Sequence, residues 1–154
     1  MVRKRSDIAL TAFIVIAGII LVDQITKIII ERNFIEFQTI AIIDNIFHLT
    51  YVPNYGAAFG ILKNKTYFFI IISIIIIAGL LTFLLFIPRQ RKILRIALIL
   101  QIAGAVGNLI DRIRLGYVID FLDFRIWPVF NIADTAIVIG AAFLIYDVLF
   151  LNAG

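Results

Sequence analysis

Two aspartates, fourteen residues apart, carry the clearest chemistry in the chain. Asp120 lies in Gly116-Tyr-Val-Ile-Asp120-Phe-Leu-Asp123-Phe, and Asp134 in Pro128-Val-Phe-Asn131-Ile-Ala-Asp134. An acid set among Tyr-Val-Ile and Phe-Leu is unusual for a solvated loop, and removal from water raises its pKa. Two carboxylates about 3 Å apart cannot both ionise, so they share a proton. One can then activate a water while the other protonates or polarises a carbonyl oxygen. That is how a pair of aspartates hydrolyses an amide. Blander readings stand beside this one. Asp120 can be an exposed carboxylate on an interfacial strand, and Asp123 fits that description better. Asp134 can simply complete a capping box opened by Asn131, where the helix N-terminus favours an acid.

Competing hydrolytic chemistries lack their residues. The 154-residue chain has no Cys, which excludes thiol catalysis, disulfides and Cys metal sites. Its one His, His48, excludes a His-rich metal cage and reads as a partly buried or interfacial residue. The Ser residues are Ser6, at the charged N-terminal end, and Ser73, inside an apolar run, so neither suits a Ser-His or Ser-Lys arrangement.

Further polar residues fall where the chain is otherwise apolar, and a charge in such a place is a functional candidate. Asp23 and Lys27 stand four residues apart on one helix face, with the acid first. They are either a mutually neutralising pair or part of a substrate site. In Gly104-Ala-Val-Gly107-Asn108-Leu-Ile-Asp111-Arg112, the residues Gly104, Asn108 and Arg112 share one face, and Gly107 and Asp111 the next. The glycines fit close helix packing with an interfacial Asp111–Arg112 pair. Asn108 fits that poorly, since a buried amide needs a partner, and a polar cleft facing Asn108 and Arg112 is the alternative.

These residues must be positioned by elements that live in a membrane. The chain is 63% hydrophobic and 16% charged, against roughly 45–50% and 25% in soluble domains. A soluble fold and a disordered chain are both excluded on those numbers. Spans of about twenty apolar residues cross a bilayer, and four are expected at 8–30, 66–87, 93–112 and 130–151. The first is too long for a signal-peptide core and lacks a cleavage site. The expected fold is therefore an all-α membrane protein of one domain over 1–154. Half of the fourteen basic residues are Arg3, Lys4, Arg5, Arg89, Arg91, Lys92 and Arg95, and all fall on one side of this topology. By the positive-inside rule that side, with both termini, is cytoplasmic. The net charge of +4 is then a loop bias rather than a nucleic-acid signal.

The external segment between the first two spans, roughly 36–62, is rich in β-branched and aromatic residues and is punctuated by Pro53, Asn54 and Gly56. It reads as two short strands forming a small β platform. A shorter external segment joins the last two spans. Trp127, Tyr117 and Tyr51 fit an aromatic belt, and Asp147 reads as interfacial.

Taken together, these blocks resemble the bacterial lipoprotein signal peptidase (signal peptidase II) family. The resemblance rests on Asp23-Gln-Ile-Thr-Lys27, Asn54-Tyr-Gly56-Ala-Ala58-Phe59-Gly60, the Gly104–Arg112 block with Gly116-Tyr-Val-Ile-Asp120-Phe, and Phe130-Asn131-Ile-Ala133-Asp134. It covers nearly the whole chain. It implies cleavage of diacylglyceryl-modified prolipoproteins just before the lipidated cysteine, at the outer face of the bacterial cytoplasmic membrane. It further implies catalysis by Asp120 and Asp134 without metal or cofactor, and sensitivity to globomycin-type cyclic peptides. Asn54, Gly56, Asn108, Arg112 and Asn131 match positions that bind or support substrate, as do Asp23, Lys27 and Asp111. Asp111 also lies in the motif, but its neighbour Arg112 points to a neutralised or structural acid, so Asp120 is preferred. Ala103, where a second Gly is common, is not expected to alter the chemistry. The implied partners are the lipid-modified substrate and membrane lipid, with no nucleic acid, and the expected state is a monomer. Two rival functions are a four-helix transporter using Asp23, Lys27 or Asp134 as ion sites, and a membrane partner protein without activity.

Overall fold

A computed structural model describes residues 3–56 and 65–151, with side chains from Leu10 onward. The side chains of Arg3, Lys4, Arg5 and Ser6, and the motif residues Ala58, Phe59 and Gly60, lie outside the described residues. The elements run α1 (Arg3–Asn33), β1 (Thr39–Ile43), β2 (Phe47–Asn54), α2 (Thr66–Phe86), α3 (Lys92–Leu115), β3 (Val118–Asp123) and α4 (Ile132–Tyr146), closed by a π-helical turn at Asp147–Leu151. Four helical stretches, Leu10–Asn33, Thr66–Phe86, Lys92–Leu115 and Ile132–Leu151, are long and apolar enough to cross a membrane.

Burial is inverted relative to a soluble protein. Phe13, Tyr67, Leu85, Phe86 and Val138 face outward, as a lipid solvent allows. Asp23, Lys27, Asp111 and Asn131 are fully enclosed. The helix α3 is the axis, and α1, α2 and α4 all pack against it. Small residues set how closely α3 and α4 approach, because lipid gives helices no hydrophobic reason to associate. A Cβ on Gly104 would lie 2.3 Å from the Ala133 carbonyl oxygen, and one on Gly140 would lie 2.7 Å from that of Ala97.

Helix ends follow from local chemistry. Pro88 disfavours a helical conformation at Ile87, which is extended, and α2 stops there. Arg95 then donates to the freed Leu84 carbonyl at 3.2 Å. Gly116 ends α3 in the left-handed conformation (φ 84°), which a glycine adopts without strain, and its N–H bonds the Arg112 carbonyl. That turn feeds the chain directly into β3.

The sheet has three antiparallel strands in the order β1-β2-β3, which extends the expected two-stranded platform. The third strand comes from the segment between α3 and α4. It pairs Asn54 with Val118 and Val52 with Asp120, a contact some sixty residues apart that no local pattern announces. The sheet is seated on α1 by buried Ile30, Tyr51, Ile119 and Phe121. Tyr51 is enclosed and its hydroxyl meets that of Tyr117 at 2.9 Å, so Tyr51 is a core residue and not part of a belt.

One acid differs from expectation. Asp123 is buried, not exposed. Burial pushes its pKa up, but bonds from Thr50 Oγ1 (2.8 Å) and from the Arg125 N–H and guanidinium (2.9 Å each) outweigh this and hold it below the usual carboxylate range. Asp147 is buried against Arg91 at the far end of the bundle, so the last turn of α4 is tied to the α2–α3 connection.

Candidate active site

Asp120 and Asp134 reach the same place from different elements. Asp120 projects from the middle of β3. Asp134 is the third residue of α4, held there by a complete capping box with Asn131. The Asn131 side-chain oxygen accepts from the Asp134 N–H at 2.8 Å. That leaves its amide nitrogen to donate to Asp120 Oδ1 at 2.7 Å. A single residue therefore caps α4 and binds the carboxylate of the neighbouring strand. The capping box does not withdraw Asp134 from this place, because its Oδ1 still meets the Asn108 amide beside Asp120.

Two more asparagines complete the frame, and each is oriented by a fixed donor. The Asn54 side-chain oxygen accepts from the Gly56 N–H at 3.1 Å, so its nitrogen faces Asp120 Oδ2 at 2.9 Å. The Asn108 oxygen accepts from Lys27 Nζ at 3.1 Å and Asn131 at 3.2 Å. Its nitrogen is thereby turned to Asp134 Oδ1 at 2.7 Å. Gly56 and Lys27 thus act at one remove, by settling which end of an amide meets each acid.

Beneath this layer Lys27 is fully enclosed and uses all three of its N–H donors. They reach Asp23 Oδ2 at 2.9 Å, Asp111 Oδ2 at 2.8 Å and Asn108. Asp111 makes its ion pair with Lys27 rather than with the adjacent Arg112, whose guanidinium lies over Phe69, 5.2 Å from its ring centre. The second oxygen of Asp23 accepts from the Ala133 N–H at 2.9 Å, one of the free donors in the first turn of α4. Asp111 also accepts from the Ile119 N–H at 3.2 Å, which anchors β3. Asp23, Lys27 and Asp111 are therefore a neutralising unit in which Asp23 holds α4 and Asp111 holds β3, the two elements carrying the acids.

Gln24 was not legible as a functional residue from its type or spacing. It bridges Asp23 (3.1 Å), the Gly107 carbonyl (3.2 Å) and Asp111 Oδ1 (3.0 Å). An amide adjacent to Asp23 inside an apolar span is the signal that could have found it.

Burial, and then the neighbouring Asp134 charge, push the Asp120 carboxyl up to about 7, against the opposing effect of the Asn54 and Asn131 bonds and of Lys27. The proton belonging to this pair is therefore lost only as the pH approaches neutrality. Both acids open into one cavity of about 980 Å³, bounded by Asn54, Arg112, Trp127, Phe130 and Val138. Its walls are largely apolar, with Asn54, Asn108, Arg112 and the two acids among the polar groups. Two carboxylates at an apolar cavity can act as acid and base on a bond held against those walls.

The chain matches the family model for signal peptidase (SPase) II over residues 15–150. It is 48% identical over 143 residues to the lipoprotein signal peptidase of Moorella thermoacetica, covering 92% of this chain and 95% of that one. It is 50% identical over 133 residues to the lipoprotein signal peptidase of Halothermothrix orenii, covering 86% and 91% respectively. Among solved structures, a bacterial membrane enzyme superposes with a TM-score of 0.88 at 35% identity, over 93% of this chain and 90% of that one. With four membrane-length helices, a platform sheet and two aspartates above a buried lysine network, this chain belongs to the signal peptidase II family of bacterial multi-pass membrane peptidases.

Proposed function

We propose that this chain removes the signal peptide from diacylglyceryl-modified prolipoproteins, cutting just before the lipidated cysteine, with Asp120 and Asp134 as the catalytic pair. The observation that carries this reading is the frame of Asn54, Asn108 and Asn131, which turns an amide nitrogen toward each acid at the mouth of one large apolar cavity. The basic residues Arg89, Arg91, Lys92 and Arg95 between α2 and α3 orient that connection to the cytoplasm. The sheet and the two acids then sit at the outer leaflet, where the C-terminal end of a signal peptide emerges. The working unit is a monomer, since both acids and their whole frame come from one chain, and the cavity's apolar walls take membrane-embedded lipid.

The reaction follows from the shared proton. Asp120 holds it and donates it to the scissile carbonyl oxygen, while Asp134 takes a proton from water as that water attacks the carbonyl carbon. The tetrahedral adduct collapses with a proton passed to the cysteine nitrogen, and the C–N bond breaks. The products are the signal-peptide carboxylate and a free amine on the lipidated cysteine. Arg112 lines the same cavity and supplies a positive charge beside the two acids. A gel-shift assay with purified protein and a diacylglyceryl-modified prolipoprotein, with and without globomycin, tests the reading. Processing by the wild type that globomycin blocks is expected. Absence of processing, or equal processing by Asp120→Asn and Asp134→Asn, contradicts it.

A further inference from the structure

Below the two acids, a second and smaller cavity of about 290 Å³ lies on the other side of Asn108, Arg112 and Asp134. Its floor is one face of α3. Gln101, Ala105, Asn108 and Arg112 recur at i, i+4, i+7 and i+11 and all line it. Ser73 of α2 closes one side. Both α2 and α4 pack on α3 but share no substantial interface with each other among the described residues. The groove between them is therefore open toward lipid.

Gln101 has a buried amide nitrogen with no hydrogen-bond partner. In a bilayer such a donor is costly if it stays unpaired. Its stem packs against Gly140 of α4, where an added Cβ would come within 2.8 Å of Gln101 Cγ. The amide is thus held in a groove that leads to Asp134, without a partner from this chain.

A signal peptide crosses the apolar layer as a helix, but the bond to be cut must be extended to meet the acids. Every residue unwound in lipid bares an N–H and a carbonyl that nothing there satisfies. We propose that the α2–α4 groove receives the unwound residues just before the cut, and that Gln101 donates to a backbone carbonyl of that segment. Gln101 lies seven residues below Asn108 on α3, about 10 Å at 1.5 Å per residue. An extended chain covers that in about three residues at roughly 3.3 Å each. The carbonyl bound by Gln101 is then the one about three residues before the cleaved bond, where the helix resumes. This inference rests on the proposed peptidase activity and names the part of the substrate that the groove reads.

Two measurements on the full-length protein test it. In the first, Gln101→Leu keeps the bulk but removes the donor. With the prolipoprotein substrate its KM should rise about tenfold, the worth of one good hydrogen bond, with kcat within about twofold of wild type. An unchanged KM, or a loss confined to kcat, overturns the inference. The second places a photo-crosslinking residue at Ser73 in the Asp134→Asn background, so that substrate is held uncut. Adducts at the second to fourth residues before the cut are expected. Adducts only beyond the cut, or none, overturn it. Failure of the wild type to process the substrate at all would instead sink the peptidase reading.

Discussion

Asp23 of the first helix accepts a hydrogen bond at 2.9 Å from the backbone N–H of Ala133, 110 residues later, in the first turn of the last helix. The same carboxylate pairs with Lys27, and Lys27 fixes the amide of Asn108 that meets Asp134. Charges buried in the bundle are therefore coupled to the geometry of the acids above them.

Lys27→Met breaks this coupling. It leaves Asp23 and Asp111 enclosed without their cation, and breaking a buried pair costs about 3–5 kcal/mol. Thermal unfolding in detergent should show a large drop in Tm. Proteolytic activity should fall further than the folded fraction does, because Asn108 loses the contact that orients it. A Tm and activity equal to wild type would contradict the assigned role of Lys27.

The alkaline limb of the pH–rate profile should reflect the proton on Asp120. A group with its pKa raised to about 7 is protonated below that pH, so kcat/KM should decline as pH rises through it. The apparent value belongs to the pair with Asp134. Asn54 donates to the ionised form and lowers the Asp120 pKa. Asn54→Ala should therefore move the alkaline limb to higher pH while lowering the maximal rate. A limb that stays fixed or moves to lower pH would argue against Asp120 as the proton carrier.

Gly104→Ala tests helix spacing. The new methyl would sit 2.3 Å from the Ala133 carbonyl oxygen, which is backbone and cannot rotate away. Overpacking of this kind costs about 1–3 kcal/mol, and here it displaces the turn that holds Asn131 and Asp134. Activity should fall at least about tenfold with the helix content by circular dichroism unchanged. Gly18→Ala is the matched control, since a Cβ there meets nothing within 4 Å.

The four apolar stretches were readable because lipid demands one pattern of every spanning helix. The Asn131–Asp134 capping box was readable because capping is local. What escaped the sequence depends on distant partners. The strand at Val118–Asp123 forms because β2 offers an edge to it, and Asp123 is buried because Thr50 and Arg125 satisfy it. Asp111 looked paired with its neighbour Arg112, yet successive residues on a helix point in different directions, and Lys27 on α1 claims it. The partner of Asp147, Arg91, lies 56 residues away and was not legible from local spacing. The roles of Gln24 and Gln101 became visible only with their surroundings, one saturated with partners and the other left without.

The central claim is that Asp120 and Asp134 together cleave the peptide bond. Its most direct measurement is single-turnover processing of a diacylglyceryl-modified prolipoprotein by Asp120→Asn and Asp134→Asn, each verified as folded by its Tm. Each variant should be slower than wild type by about a thousandfold or more, in keeping with the loss of an acid or base that acts as one unit with its partner. Processing by either folded variant at a rate near that of wild type would contradict the account.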